Sequence, residues 1–81
     1  MELTPVEVRC YAGYKADETP REFRLQEAWI EVEEVLRSWY QEESLPETPR
    51  AEWFKVRGKG GDGFLLKHDL ESDQWYLVRR V

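Results

Sequence analysis

Val6, Val8 and Cys10 alternate with Glu7, Arg9 and Tyr11. A period of two puts one set of side chains on one face of a strand and the other set on the opposite face. The same alternation returns at Arg21–Leu25, with Phe23 and Leu25 on one side, and at Ile30–Glu33, with Ile30 and Val32 against Glu31 and Glu33. Phe54 and Val56 then alternate with Trp53, Lys55 and Arg57. Two more short runs, Phe64–His68 and Trp75–Arg79, complete the set. Short alternating runs of this kind leave no room for a long helix.

The connections fit the same picture. Residues 12–20 form a long loop in which Gly13 permits a sharp turn and Pro20 biases Thr19 towards extended geometry. Gln26-Glu27-Ala28 is a short link. Gly58–Gly63 is a hairpin connection, with Asp62-Gly63 expected to supply the positive-φ positions. Asp69–Gln74 turns the chain into the last strand. Val35, Leu36 and Trp39 break the alternation. A strand with a bulge near Glu33-Glu34 and a strand running into a short helix at Val35–Tyr40 both fit. The bulged strand is favoured, because period two is already established and no N-cap residue stands where a helix would begin. Residues 41–52, acidic and containing Pro46 and Pro49, are expected to be a mobile loop rather than a domain linker.

These runs predict an all-β domain: a six-stranded antiparallel sheet curled into a small open barrel, ending in a three-stranded meander. With 81 residues the chain is one domain, 1–81, with a thin core. The expected core is Val6, Val8, Phe23, Leu25, Ile30, Val32, Phe54, Val56, Phe64, Leu66, Trp75 and Leu77. Cys10 shares a face with Val6 and Val8 and should point inward.

Composition narrows the setting. A single cysteine allows neither an internal disulfide nor a cysteine-built zinc site, and small secreted domains usually need such staples. No basic and apolar leader opens the chain, and no apolar run is long enough to span a membrane. A cytoplasmic protein is the expectation. The net charge of −5 is unevenly spread: residues 1–52 carry thirteen acids and six bases, residues 53–81 four acids and six bases. An acidic whole disfavours general affinity for nucleic acid, but the basic last third leaves room for it.

The motifs that could carry chemistry are weak. Gly58–Gly63 lacks the Gly-Lys-Ser/Thr ending and the following helix of a phosphate loop. Asp69, Glu71 and Asp73 begin like a calcium loop, but Gln74 stands where that loop needs glycine and Arg80 where it needs glutamate. His68 and Cys10 would need to meet to form a nucleophile–base pair, and a buried strand cysteine is more often a core residue. No enzyme, no cofactor and no metal site is therefore expected.

What remains is a surplus of aromatics. Sixteen Val, Leu and Ile residues and eleven aromatics exceed what six short strands can turn inward. Tyr14, Trp39, Trp53 and Tyr76 are the candidates to stay outside as contacts to a protein partner, because Trp and Tyr recur as interface anchors. Lys55, Arg57, Lys67 and Arg79, interleaved with aromatics, are candidates for the alternative: holding a single-stranded nucleic acid on the C-terminal meander.

Four stretches also carry a likeness. They are Val8–Phe23, Ile30–Leu36 with Trp39, Trp53–Arg57, and Leu65–Asp69 with Trp75. Together they resemble a family of small bacterial domains of unknown function, some of which occur in the company of translesion DNA polymerases. The resemblance implies a compact β-domain and a setting in DNA repair, and it supplies no catalytic residues.

Overall fold

A computed structural model describes residues 3–11, 19–41 and 50–81. These residues form seven strands: β1 (Thr4–Val6), β2 (Val8–Tyr11), β3 (Thr19–Leu25), β4 (Ala28–Gln41), β5 (Ala51–Gly58), β6 (Gly63–Asp69) and β7 (Gln74–Arg80). All neighbours are antiparallel, and the order across the sheet is β1-β7-β6-β5-β4-β3-β2. The two outermost strands are consecutive in the chain, separated by Glu7 alone. The sheet therefore bends round until its two edges are joined by the N-terminal segment, and it is nearly closed into a barrel.

The expected single N-terminal strand is thus two. Val6 pairs with Trp75 of β7, and Val8 pairs with Phe23 of β3. At Glu7 the chain passes from one edge to the other, and the Arg24 amide donates to the Glu7 carbonyl at 2.9 Å. Alternation survives this switch of partner, so the break leaves no mark on the hydropathy pattern. Closure matters for so small a sheet because it shortens the unpaired edges that invite aggregation.

Val35–Tyr40 is strand, not helix. β4 runs for fourteen residues and changes partner midway. Ala28–Glu31 pair with β3, whereas Val32–Gln41 pair with β5. Register shifts fall between Val32 and Glu34 and again between Val35 and Arg37, which makes Glu33 and Leu36 the extra residues of two bulges. The first sits where the alternation breaks. The second is invisible in the pattern, because two successive bulges restore the original facing.

Val6, Phe23, Phe54, Val56, Phe64, Leu66 and Trp75 are buried in one cluster, and Val8, Cys10, Leu25, Ile30, Val32, Val35 and Leu77 pack against it. Every expected core residue lies in this set. Phe23 meets Phe64 edge to face at 5.0 Å, and Phe54 lies 5.4 Å from Trp75. Cys10 packs against the core but is half-buried rather than enclosed, since the β2–β3 register slips between Arg9 and Cys10.

Two loop expectations are corrected. Positive φ falls on Gly60 and Gly61, not on Asp62-Gly63. The Gly58 amide donates to Asp62 O at 2.7 Å and closes the loop early, so the two central glycines take the apex and Gly63 enters β6. The mobile loop expected at 41–52 is shorter at both ends. Gln41 pairs with Ala51 and Tyr40 with Glu52, while residues 42–49 lie outside the described residues.

Gly58 marks a tight point. A Cβ there would stand 2.9 Å from Ile30 Cγ2 and 3.2 Å from Phe64 Cε2. Phe64 is fully packed and cannot withdraw. Gly58→Ala is expected to lower the unfolding free energy by about 1–3 kcal/mol through overpacking. The urea midpoint reads this, with the slope unchanged.

Candidate functional site

Register assembles the site. On the outer side of the barrel, Trp39 of β4 is opposite Trp53 of β5, Trp53 is opposite Lys67 of β6, and Lys67 is opposite Tyr76 of β7. One step along the strands runs a second row: Arg37 opposite Lys55, Lys55 opposite Leu65, Leu65 opposite Arg79. Neighbouring strands lie about 4.8 Å apart and the rows roughly 7 Å apart. The two candidate sets read from the sequence are therefore one surface.

Within it the rings are ordered. The Trp39 and Trp53 indoles are parallel, within 1°, at 6.0 Å between centroids. Trp53 Nε1 donates to Gln41 Oε1 at 2.9 Å, and the Lys67 ammonium lies 5.3 Å from the Trp53 ring centre. Trp53 is thus fixed by three contacts and half-buried. Trp39 is 39% exposed, with the Arg37 guanidinium 5.4 Å from its centre. One face of Trp39 is turned to Trp53; among the described residues no strand pairs with the other side of β4 from Val32 to Gln41. Tyr76 is half-buried at the far end, opposite Pro5 of β1. Tyr14 lies outside the described residues. Leu36 and Tyr40 are also exposed, 44% and 48%: Leu36 is the extra residue of the second bulge, and Tyr40 lies on the opposite face of β4 from Trp39.

Charge separates this face from the rest. Arg9 pairs with Glu22, Arg24 with Glu7, Lys59 with Glu31, and Arg57 with Glu33 and Glu34. Arg57, a candidate base, is thus neutralised. Arg37, Lys55, Lys67 and Arg79 make no ion pair among the described residues. In a chain with five more acids than bases, four uncompensated bases stand together. Arg37 and Lys55 even stand directly across from each other, a like-charge pairing that costs stability. Arg37 was not singled out by its neighbours in the sequence; only the register brings it to Lys55.

The other candidates have structural uses. His68, 5% exposed, stacks on Trp75 at 4.1 Å with the rings 4° apart, and its Nε2 lies 2.7 Å from Asp73 Oδ1. Asp69 Oδ1 accepts from the amides of Glu71 and Ser72, closing the β6–β7 turn. Of the acids that resembled a calcium loop, Asp69 thus closes the turn and Asp73 holds His68. No group of three or more metal-ligating side chains occurs among the described residues. A cleft of about 640 Å³ opens where β4 leaves β3, lined by Thr19, Pro20, Glu31, Glu33 and Lys59 among others. Its carboxylates Glu31 and Glu33 are paired with Lys59 and Arg57. None of the family models, curated proteins or solved structures compared with this chain matches it.

Asp73 holds a left-handed backbone (φ 56°) while its carboxylate meets His68. Asp73→Ala is expected to cost about 1–3 kcal/mol, from the lost partner of a buried ring and from the conformation. Asp73→Asn, which tolerates that conformation and keeps an acceptor, should cost less. Asp73→Gly relieves the backbone alone, so the difference between Gly and Asn in thermal unfolding separates the two contributions.

Proposed function

We propose that the domain is a non-enzymatic binding module whose working surface is the outer face of β4–β7. The observation that carries this reading is the collection of Arg37, Lys55, Lys67 and Arg79, without carboxylate partners among the described residues, beside the Trp39–Trp53–Lys67–Tyr76 row. A domain selected for stability alone would place an acid opposite Arg37, as it does opposite Arg9. Retaining Lys55 there costs a few tenths of a kcal/mol or more. An anionic partner would offset that cost. The rings add apolar contact area at small entropic cost, so the partner carries flat or apolar groups as well as negative charge. A reducing, cytoplasmic setting goes with this reading, since the fold closes without a disulfide.

A protein partner with an acidic, aromatic-seeking segment meets this description, and so does a nucleic acid. Both read the same face. The bases are what a polyanion tests.

Heparin serves as a sulfated polyanion probe. Despite a net charge of −5, the domain should be retained on immobilised heparin at low salt, and Lys55→Glu with Lys67→Glu should flow through. Passage of the unaltered domain without retention would remove the case for this face. Lys55→Glu alone should also raise thermal stability, by about 0.2–1 kcal/mol, because it places an acid opposite Arg37. A stabilising substitution that abolishes binding is the signature of a charge kept for a ligand.

A further inference from the structure

Resting on the reading above, we propose that the ligand of this face is a single-stranded nucleic acid, draped across β4–β7 with bases stacked at the ends of the aromatic row and phosphates on the four bases. Three observations converge on it.

The first is which rings are open. Trp53 is closed on both sides, by Trp39 and by the Lys67 ammonium. Trp39, 39% exposed and flanked by the Arg37 guanidinium at 5.4 Å, has the most surface left for a further planar group, and Tyr76, half-buried, ends the row. Between them lies a cation, Lys67, directly opposite Tyr76 and next to Trp53. Ring, cation, ring is the alternation that a strand of bases and phosphates presents. Aromatic stacking accepts any base, because every base has a π-face.

The second is the kind of cation. Lysine is depleted at protein–protein contact surfaces, where its hydrated ammonium is costly to bury. Here two of the four uncompensated bases are lysines, and they stand diagonal to each other, Lys55 opposite Leu65 and Lys67 opposite Trp53. Phosphates tolerate a hydrated point charge, because the contact stays wet.

The third is shape. The face is the outside of a sheet nearly closed into a barrel, so it curves outward across its four strands. A stiff duplex would touch it along a line, whereas a flexible strand can follow it. Three strand-to-strand intervals span roughly 14 Å, room for a few nucleotides. The site is therefore short. Its affinity is modest, and the acidic remainder of the domain keeps it so. With four phosphate contacts at about 0.7 each, the logarithm of the binding constant should fall with log salt with a slope no steeper than about −3.

The test titrates the intact domain with five probes: a 12-nucleotide oligothymidylate, the matching oligouridylate, an abasic strand of the same charge, a 12-base-pair duplex and a polyglutamate peptide. The readouts are quenching of tryptophan fluorescence and anisotropy of a labelled probe. Oligothymidylate or oligouridylate, or both, should bind; the comparison between them tells a DNA strand from an RNA strand. The abasic strand and the duplex should bind at least fivefold more weakly. Trp39→Ala should weaken the oligonucleotide by about 5- to 100-fold, the loss of one stacked base, and leave the abasic strand unchanged. Because Trp39 is exposed, this variant should melt close to the unaltered domain, which circular dichroism checks.

Equal binding of the abasic strand and the oligonucleotides would overturn the proposal and leave a bare anion site. Tighter binding of polyglutamate would overturn it in favour of an acidic protein. Heparin retention without any oligonucleotide binding would overturn it too, while the face itself stands. Loss of heparin retention together with all five probes would remove the face as well.

Discussion

Two bulges in one strand decide the geometry of this domain. β4 must serve two neighbours, β3 over its first four residues and β5 over the rest. Glu33 and Leu36 each insert one unpaired residue, and each adds twist where the strand turns the corner of the barrel. Their combined effect is a slide of two residues along β5. Val32 is opposite Gly58, and unbroken pairing from there would set Trp39 against Ala51; with both bulges Trp39 meets Trp53. The same slide sets Arg37 against Lys55. The aromatic stack and the like-charge pair are consequences of one local irregularity.

Closure supplies the rigidity that such a surface needs. A domain of this size buries a small core, here built on four aromatic rings and a handful of aliphatics. The N-terminal segment contributes out of proportion to its length, because it completes both edges of the sheet at once. The β4–β7 part would otherwise be a twisted ribbon free to flatten. With the barrel closed, its curvature is set, and the outer rows of side chains keep fixed spacings. Phe23 against Phe64 ties β3 across the interior to β6, and Phe54 against Trp75 ties β5 to β7.

Charge is distributed against local stability. The carboxylates of β3 and β4 have basic neighbours, Arg9, Arg57 and Lys59, which neutralise the acidic cleft between those strands. The opposite happens on the outer face, where two bases over aromatic rings stand beside two without ring partners. An acidic domain with a basic face repels polyanions at long range and attracts them at contact. Screening over about 10 Å at 0.1 M salt lets the local charges prevail.

Alternation at period two was enough to read the fold class and twelve of the residues that form or pack against the core. The reason is that a half-buried antiparallel sheet imposes its facing on every residue independently of partner. Of the aromatics expected to stay outside, Trp39 is exposed, whereas Trp53 and Tyr76 face outward but are half-buried under their neighbours. Pairing was not legible. The switch at Glu7 leaves alternation intact, and the second bulge at Leu36 cancels the first, so neither the seventh strand nor the slide along β5 shows in the hydropathy pattern. His68 was weighed in the sequence only against Cys10; its actual neighbours, Trp75 and Asp73, come to it from across a turn. Arg37, fifteen or more residues from every base of the C-terminal third, joined Lys55 through register alone. Facing is a property of each residue in its own strand and is written in the chain. Neighbourhood is a property of two strands aligned, and only the closed sheet decides it.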